Sequence, residues 1–157
     1  MMTKRALVMM SFLGLLAACG GPDESAGAPR AQAAEATNAD IGDYIVHFSA
    51  QSTDQLSREI AQAYSIVRSK NRAMLNISVL RESDNKPVAA NIVVKAVNLT
   101  GQLKDISLRR INEQDAIYYI GEVAVANQET LIFDLSVTPE GASRAAQVSF
   151  KRQFFTD

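Results

Sequence analysis

The chain has 157 residues, with 16 Lys+Arg against 17 Asp+Glu, one His, one Cys, no Trp and 47% hydrophobic residues. That balance fits one small domain plus appendages and excludes both a disordered acidic tail and a strongly basic nucleic-acid binder. A lone cysteine cannot build an internal disulfide framework, and no Cys/His spacing suits a structural zinc site.

Lys4 and Arg5 precede an apolar run from Ala6 to Leu16, which ends at Ala17-Ala18-Cys19. A positive start, a short apolar stretch and a small-residue junction predict an export signal over residues 1–18. The run is too short to remain as a permanent span, which needs roughly 20 apolar residues. Leu16-Ala17-Ala18-Cys19 resembles a bacterial lipobox, in which the thiol takes up a diacylglyceryl group before cleavage. Cys19 is therefore expected to be lipidated and to attach the chain to a membrane, since more than one acyl chain makes attachment stable. Gly20 follows it where an inner-membrane retention signal would place Asp, so the expected address is the periplasm-facing side of the outer membrane. Residues 19–42 are rich in Gly, Ala, Pro, Ser and acids, a composition that buries too little surface to order itself and reads as a flexible tether.

Residues 43–157 carry short alternating runs separated by turn residues, the pattern of half-buried antiparallel strands. The runs are Asp43–Ala50, Arg72–Arg81, Val88–Asn98, Leu103–Asn112, Ala116–Ala126, Thr130–Thr138 and Arg144–Phe155. In the first, Tyr44, Val46 and Phe48 share a face; in the sixth, Leu131, Phe133, Leu135 and Val137 alternate with Ile132, Asp134 and Ser136. Between the first two runs, Leu56, Ile60, Ala63-Tyr64 and Val67 recur at helical spacing, predicting a short amphipathic helix capped by Ser52 or Ser57. About seven strands at this spacing predict an all-β, immunoglobulin-like sandwich of two antiparallel sheets, with a short helix between the first two strands. A partly open barrel is the competing topology.

Catalytic chemistry finds little to work with. The thiol is expected to be acylated, and His47, opposite in phase to Val46 and Phe48, reads as a surface or edge histidine. No nucleophile-elbow, Ser-x-x-Lys, zincin or phosphate-loop pattern is present, so no enzyme and no cofactor are expected. Four of the five methionines lie before Cys19, which leaves Met74 and His47 as soft ligands, too few for a metal site. The one unusual local composition is Arg68-Ser69-Lys70-Asn71-Arg72, three cations on alternate residues with no acid among them. Extended, Arg68, Lys70 and Arg72 would project to one side as a basic ridge suited to a protein partner, or to a small anionic ligand or lipid headgroup. The adjacent aromatics Tyr118-Tyr119 and Phe154-Phe155 place one ring of each pair on each face of a strand.

Tyr44-Ile45-Val46-His47-Phe48, the stretch Leu56 to Tyr64, and above all Arg68 to Leu80 resemble a family known as domain of unknown function 4426, small exported bacterial proteins. The resemblance covers about Asp43 to Asp157 and implies export and a β-rich domain. It brings no activity and no catalytic residues. The function expected is a non-enzymatic envelope lipoprotein that binds another envelope protein or assists assembly, with Arg68, Lys70 and Arg72 as its contact residues and no nucleic-acid partner.

Overall fold

Side chains that alternate between apolar and polar fold into two antiparallel sheets in the computed structural model, which describes residues 36–157. The expected export signal, Cys19 and most of the expected tether lie outside the described residues. In chain order the elements are β1 (Asn38–Asp40), β2 (Tyr44–Ser52), a 3-10 turn (Thr53–Gln55), α1 (Arg58–Ala63), β3 (Arg72–Arg81), β4 (Ala90–Asn98), β5 (Leu103–Lys104), β6 (Leu108–Asn112), β7 (Ile117–Ala124), β8 (Glu129–Pro139) and β9 (Ala146–Phe154). Sheet A has the order β1-β2-β3-β7-β6 and sheet B the order β5-β4-β8-β9. With β1 and the short β5 set aside, this is the strand order of an immunoglobulin-like sandwich, first, second, fifth and fourth strands over third, sixth and seventh.

The interior is filled by the alternate positions the sequence marks. Val46 and Phe48 of β2 and Leu75, Ile77 and Val79 of β3 face Leu131, Phe133, Leu135 and Val137 of β8, all of them buried. Phe150 stacks on Phe48 of the opposite sheet with ring centroids 4.5 Å apart and on its cross-strand neighbour Phe133 at 5.0 Å. These rings link the two sheets, a task that in an immunoglobulin domain falls to a disulfide and a tryptophan on other strands. A hydrogen bond crosses the core as well: the Ala90 N–H of β4 donates to the Tyr119 hydroxyl of β7 at 2.7 Å.

Among the described residues nine strands stand where seven were expected, for two local reasons. β1 lies ahead of the boundary at Asp43, because Asn38-Ala39-Asp40 has no apolar alternation to announce it and is a strand only through backbone pairing with Ile45–His47. The expected single strand Leu103–Asn112 is two. β5 pairs with β4 in sheet B, whereas β6 pairs with β7 in sheet A, so residues 105–107 carry the chain from one sheet to the other. Ile106 is seated in this crossing against Gly121, where an added Cβ would stand 2.9 Å from Ile106 Cγ1 and 3.0 Å from Leu108 Cδ2. The bare backbone of Gly121 is what lets the crossing close.

The helical segment also departs from its expected phase. Of the two candidate caps Ser57 is the one used, its hydroxyl accepting from the Ile60 N–H at 3.2 Å, while Ser52 is buried at the end of β2. Leu56, Ala61 and Ile66 are buried, but Ile60 and Val67, expected inward, are exposed. The helix ends after Ala63, and Ser65 takes a positive φ of 52°, so the residues beyond it no longer follow the helical repeat. Finally, one end strand of each sheet carries paired cations, Arg109-Arg110 on β6 and Lys151-Arg152 on β9, which discourages pairing of that strand with another chain's edge.

Candidate functional site

The expected basic ridge does not lie in one extended segment. Residues 66–69 are coil and Lys70-Asn71 form a turn, so among the three cations only Arg72 is in a strand. Buried Thr53 fixes this loop: its hydroxyl accepts from the Ser69 N–H at 2.9 Å and lies 2.9 Å and 3.0 Å from the carbonyls of Val67 and Ser69. The Arg68 guanidinium turns back to donate to the Asp54 carbonyl. Arg72 reaches across to β7, its Nε 3.5 Å from the Glu122 carboxylate. Lys70 stands exposed at the turn between them.

The outward faces of the two sheets differ. On sheet A, the chain's own helical segment lies over the strands: Leu56, Ala61 and Ile66 cover Met74 and Ile120, flanked by Tyr64, Ile111 and Tyr118. The segment is tied down at its end, where Arg109 donates to the Tyr64 carbonyl and the Tyr64 hydroxyl donates to Glu113. That hydrogen bond to a carboxylate, with burial and the Glu113 charge adding to it, pushes the Tyr64 phenol above its ordinary range. Tyr118, the outward ring of its pair, is thus half-covered by the insert, whereas Phe155 remains exposed beside buried Phe154. Away from the insert, His47 lines a shallow depression of about 210 Å³ with Thr37, Ser49, Asn76 and Ser78, and Asn76 Oδ1 is buried without a hydrogen-bond partner.

No element of residues 36–157 lies over the outward face of sheet B, and that face is partly apolar. Three registered rows cross its strands: Val97 beside Ile132 and Lys151, Lys95 beside Asp134 and Ser149, and Val93 beside Ser136 and Gln147. Leu103 of β5 extends the first row, being the register partner of Val97. Val93 is 61% exposed, Leu103 65% and Leu99, at the β4–β5 turn, 69%. The turn that presents these two leucines is held by one side chain. Asn98 Oδ1 accepts from the Thr100 N–H, the Thr100 hydroxyl and the Gln102 N–H, while Nδ2 donates to Gln102 and Glu129.

Beneath the turn, the Lys104 ammonium contacts both Glu129 carboxylate oxygens at 2.9 Å and 3.0 Å, with side chains 14% and 11% exposed. Burial alone would raise the Glu129 pKa, but the Lys104 ammonium, the Ala126 N–H and the Asn98 amide together hold it below the ordinary glutamate value. None of this polar network was evident from the spacing of acids and bases. Its signal in the sequence is positional: Asn98 and Lys104 occupy inward phases of their strands, where a polar residue must find a partner. The apolar outer face has a similar signal, since Val93, Val97 and Ile132 are apolar at the phase reserved for solvent.

A family model for a domain of unknown function, DUF4426, matches residues 38–157. The chain belongs to the DUF4426 family. A crystal structure of a DUF4426 family protein from Pseudomonas aeruginosa PAO1 is similar at 31% identity and a TM-score of 0.67, over 78% of this chain and 96% of that one. The DUF4426 fold also resembles FetP of uropathogenic Escherichia coli strain F11. A copper-bound FetP variant aligns at 11% identity and a TM-score of 0.55, over 76% of this chain and 95% of that one. FetP isolated after expression in the periplasm aligns at 11% and 0.54, over 77% and 94%. At this identity the likeness to FetP is one of fold. Among the described residues of the DUF4426 domain, no group of three or more His, Cys, Asp or Glu is placed to hold a metal ion. No curated protein matches the chain.

Proposed function

We propose that this DUF4426 protein is a non-enzymatic, lipid-anchored module of the bacterial envelope that works by protein–protein contact through the outward face of sheet B. The observation that carries the reading is the contrast between the two sheets: one has its apolar outer residues covered by the chain's own insert, the other leaves Val93, Leu99 and Leu103 open to solvent. An exposed patch of apolar side chains is the usual mark of an interaction site. The turn held by Asn98 adds rigidity, which lowers the entropy lost on binding. A second surface, the loop bearing Arg68, Lys70 and Arg72, is weaker support, because two of its three cations already have partners within the chain.

The anchor rests on the lipobox-like Leu16-Ala17-Ala18-Cys19. Cells expressing the chain should incorporate radiolabelled palmitate into it, and the Cys19→Ser variant should take up none and appear in the soluble fraction. Label retained by that variant would sink the anchor. For the contact, a photo-crosslinking amino acid placed at Val93 or Leu103 in living cells should give adducts of defined mass, whereas the same probe at Ser143, on a surface turn remote from β4 and β5 in sequence, should give none. Adducts confined to a probe at Lys70 would move the contact to the basic loop, and absence of adducts from all three sites would refute a protein-binding role.

A further inference from the structure

We infer that the outward face of sheet B closes on a second copy of the same chain, in a two-fold dimer whose axis lies in the plane of that face, parallel to the strands and between β4 and β8. The inference rests on the reading of this face as an interaction surface and names its partner. The register is the argument. A two-fold axis placed there keeps height along the strands and exchanges the strands themselves, so each β4 residue lies over the β8 residue that is its own register partner. Lys95 is paired in register with Asp134, Val97 with Ile132 and Val93 with Ser136. The operation therefore sets Lys95 over Asp134 of the second copy and Val97 over its Ile132, each twice.

Charge decides between this occupant and an apolar one. Lys95 and Asp134 are both exposed at the centre of the face, and among the described residues no ion pair includes either. Asp134 accepts from the Ser149 hydroxyl at 2.7 Å, which fixes the carboxylate on the outer side. An apolar helix or strand laid over this row would strip water from both charges and add no polar partner to what each has on its own sheet, which is costly. A second copy supplies the missing partner to both at once, and it apposes apolar residues in the adjacent row. Sheets packed face to face run nearly aligned and about 10 Å apart, so the match is best near the axis, where these two rows lie. Two-fold, self-complementary interfaces are the commonest way for a chain to associate with itself.

The test is the association state of the purified chain, by light scattering after size exclusion and by sedimentation equilibrium. Wild-type protein should be a dimer at about 100 μM, within the range reached by interfaces of modest size. Lys95→Asp and Asp134→Lys should each weaken association on the order of 100-fold, because like charges then face one another twice. The double variant Lys95→Asp/Asp134→Lys should regain the dimer, and an equimolar mixture of the two single variants should form a mixed dimer. Both sites are exposed, so unchanged thermal melts will show that the fold is intact. Monomeric wild-type protein at that concentration, or a dimer indifferent to the single reversals, would overturn the inference. A monomer that nevertheless forms Val93 adducts with a different protein in cells would overturn the second copy while leaving the protein-binding role standing.

Discussion

Glu129→Ala should lower the stability of the domain by about 3 kcal/mol, which for a domain of this size is a fall in Tm on the order of 10 °C. The loss exceeds that of a surface ion pair because the Lys104 ammonium, 14% exposed, would be left without the carboxylate it contacts through both oxygens. The same deletion frees the Ala126 N–H and the Asn98 amide, and with Asn98 loosened the β4–β5 turn loses its organiser. Glu129→Gln, which keeps an acceptor but removes the charge, should fall between. The pH dependence follows from sign. Because the folded state holds the Glu129 pKa below its unfolded value, its contribution is complete above the ordinary glutamate range and is lost as pH falls through the folded value. The Tm difference between wild type and Glu129→Gln should therefore be largest near neutrality and vanish once the pH is below the folded value. A difference that persists there would mean that packing, not charge, is what the carboxylate supplies.

Phe133→Ala should cost about 3–5 kcal/mol, the range for truncating a fully buried phenylalanine. Phe133 has no exposed surface and supports Phe150, which in turn stacks on Phe48 of the other sheet. Removing it opens a void where aromatic rings bridge the two layers. The urea midpoint should drop by on the order of 2 M, and if total stability is near the low end for domains, the variant will be largely unfolded at 37 °C. Phe133→Leu should recover more than half of the loss. A small effect of the alanine variant would show that Phe48 and Phe150 can close the gap by themselves.

The strands with one buried face were legible in the sequence, and the reason is physical. Val46 and Phe48, or Leu131 to Val137, alternate because one side of the strand meets the core and the other meets water. What alternation cannot encode is membership of a sheet. Leu103 to Asn112 reads as a single run with Ile106 and Leu108 on one side, yet the chain changes sheet at residues 105–107, a step permitted by the missing side chain of Gly121 further along the sequence. β1 was illegible because its order comes from β2 and not from its own residues. The helix was legible as an insert, but not in phase, since its six residues are too few to dictate which neighbours outside it turn inward. The candidate sites divide in the same way. The basic loop was visible as composition, but a hydroxyl buried at Thr53 and a carbonyl at Asp54 set its shape. The bare outer face of sheet B needed knowledge of which strands become neighbours, since Val93, Val97, Leu103 and Ile132 come together only once β4, β5 and β8 pair.

Should the proposed Cys19 anchor hold the chain at a membrane, the paired cations at the margins of the sandwich bear on life in a crowded lipid layer. Molecules confined to two dimensions encounter one another far more often than in bulk solution, and any free strand is then an invitation to runaway fibre growth. With Arg109-Arg110 at one rim and Lys151-Arg152 at the other, sideways approach is met by repulsion, so neighbours sharing a bilayer are steered to meet flat side first. The two-fold association proposed for that face closes on itself at two and does not propagate.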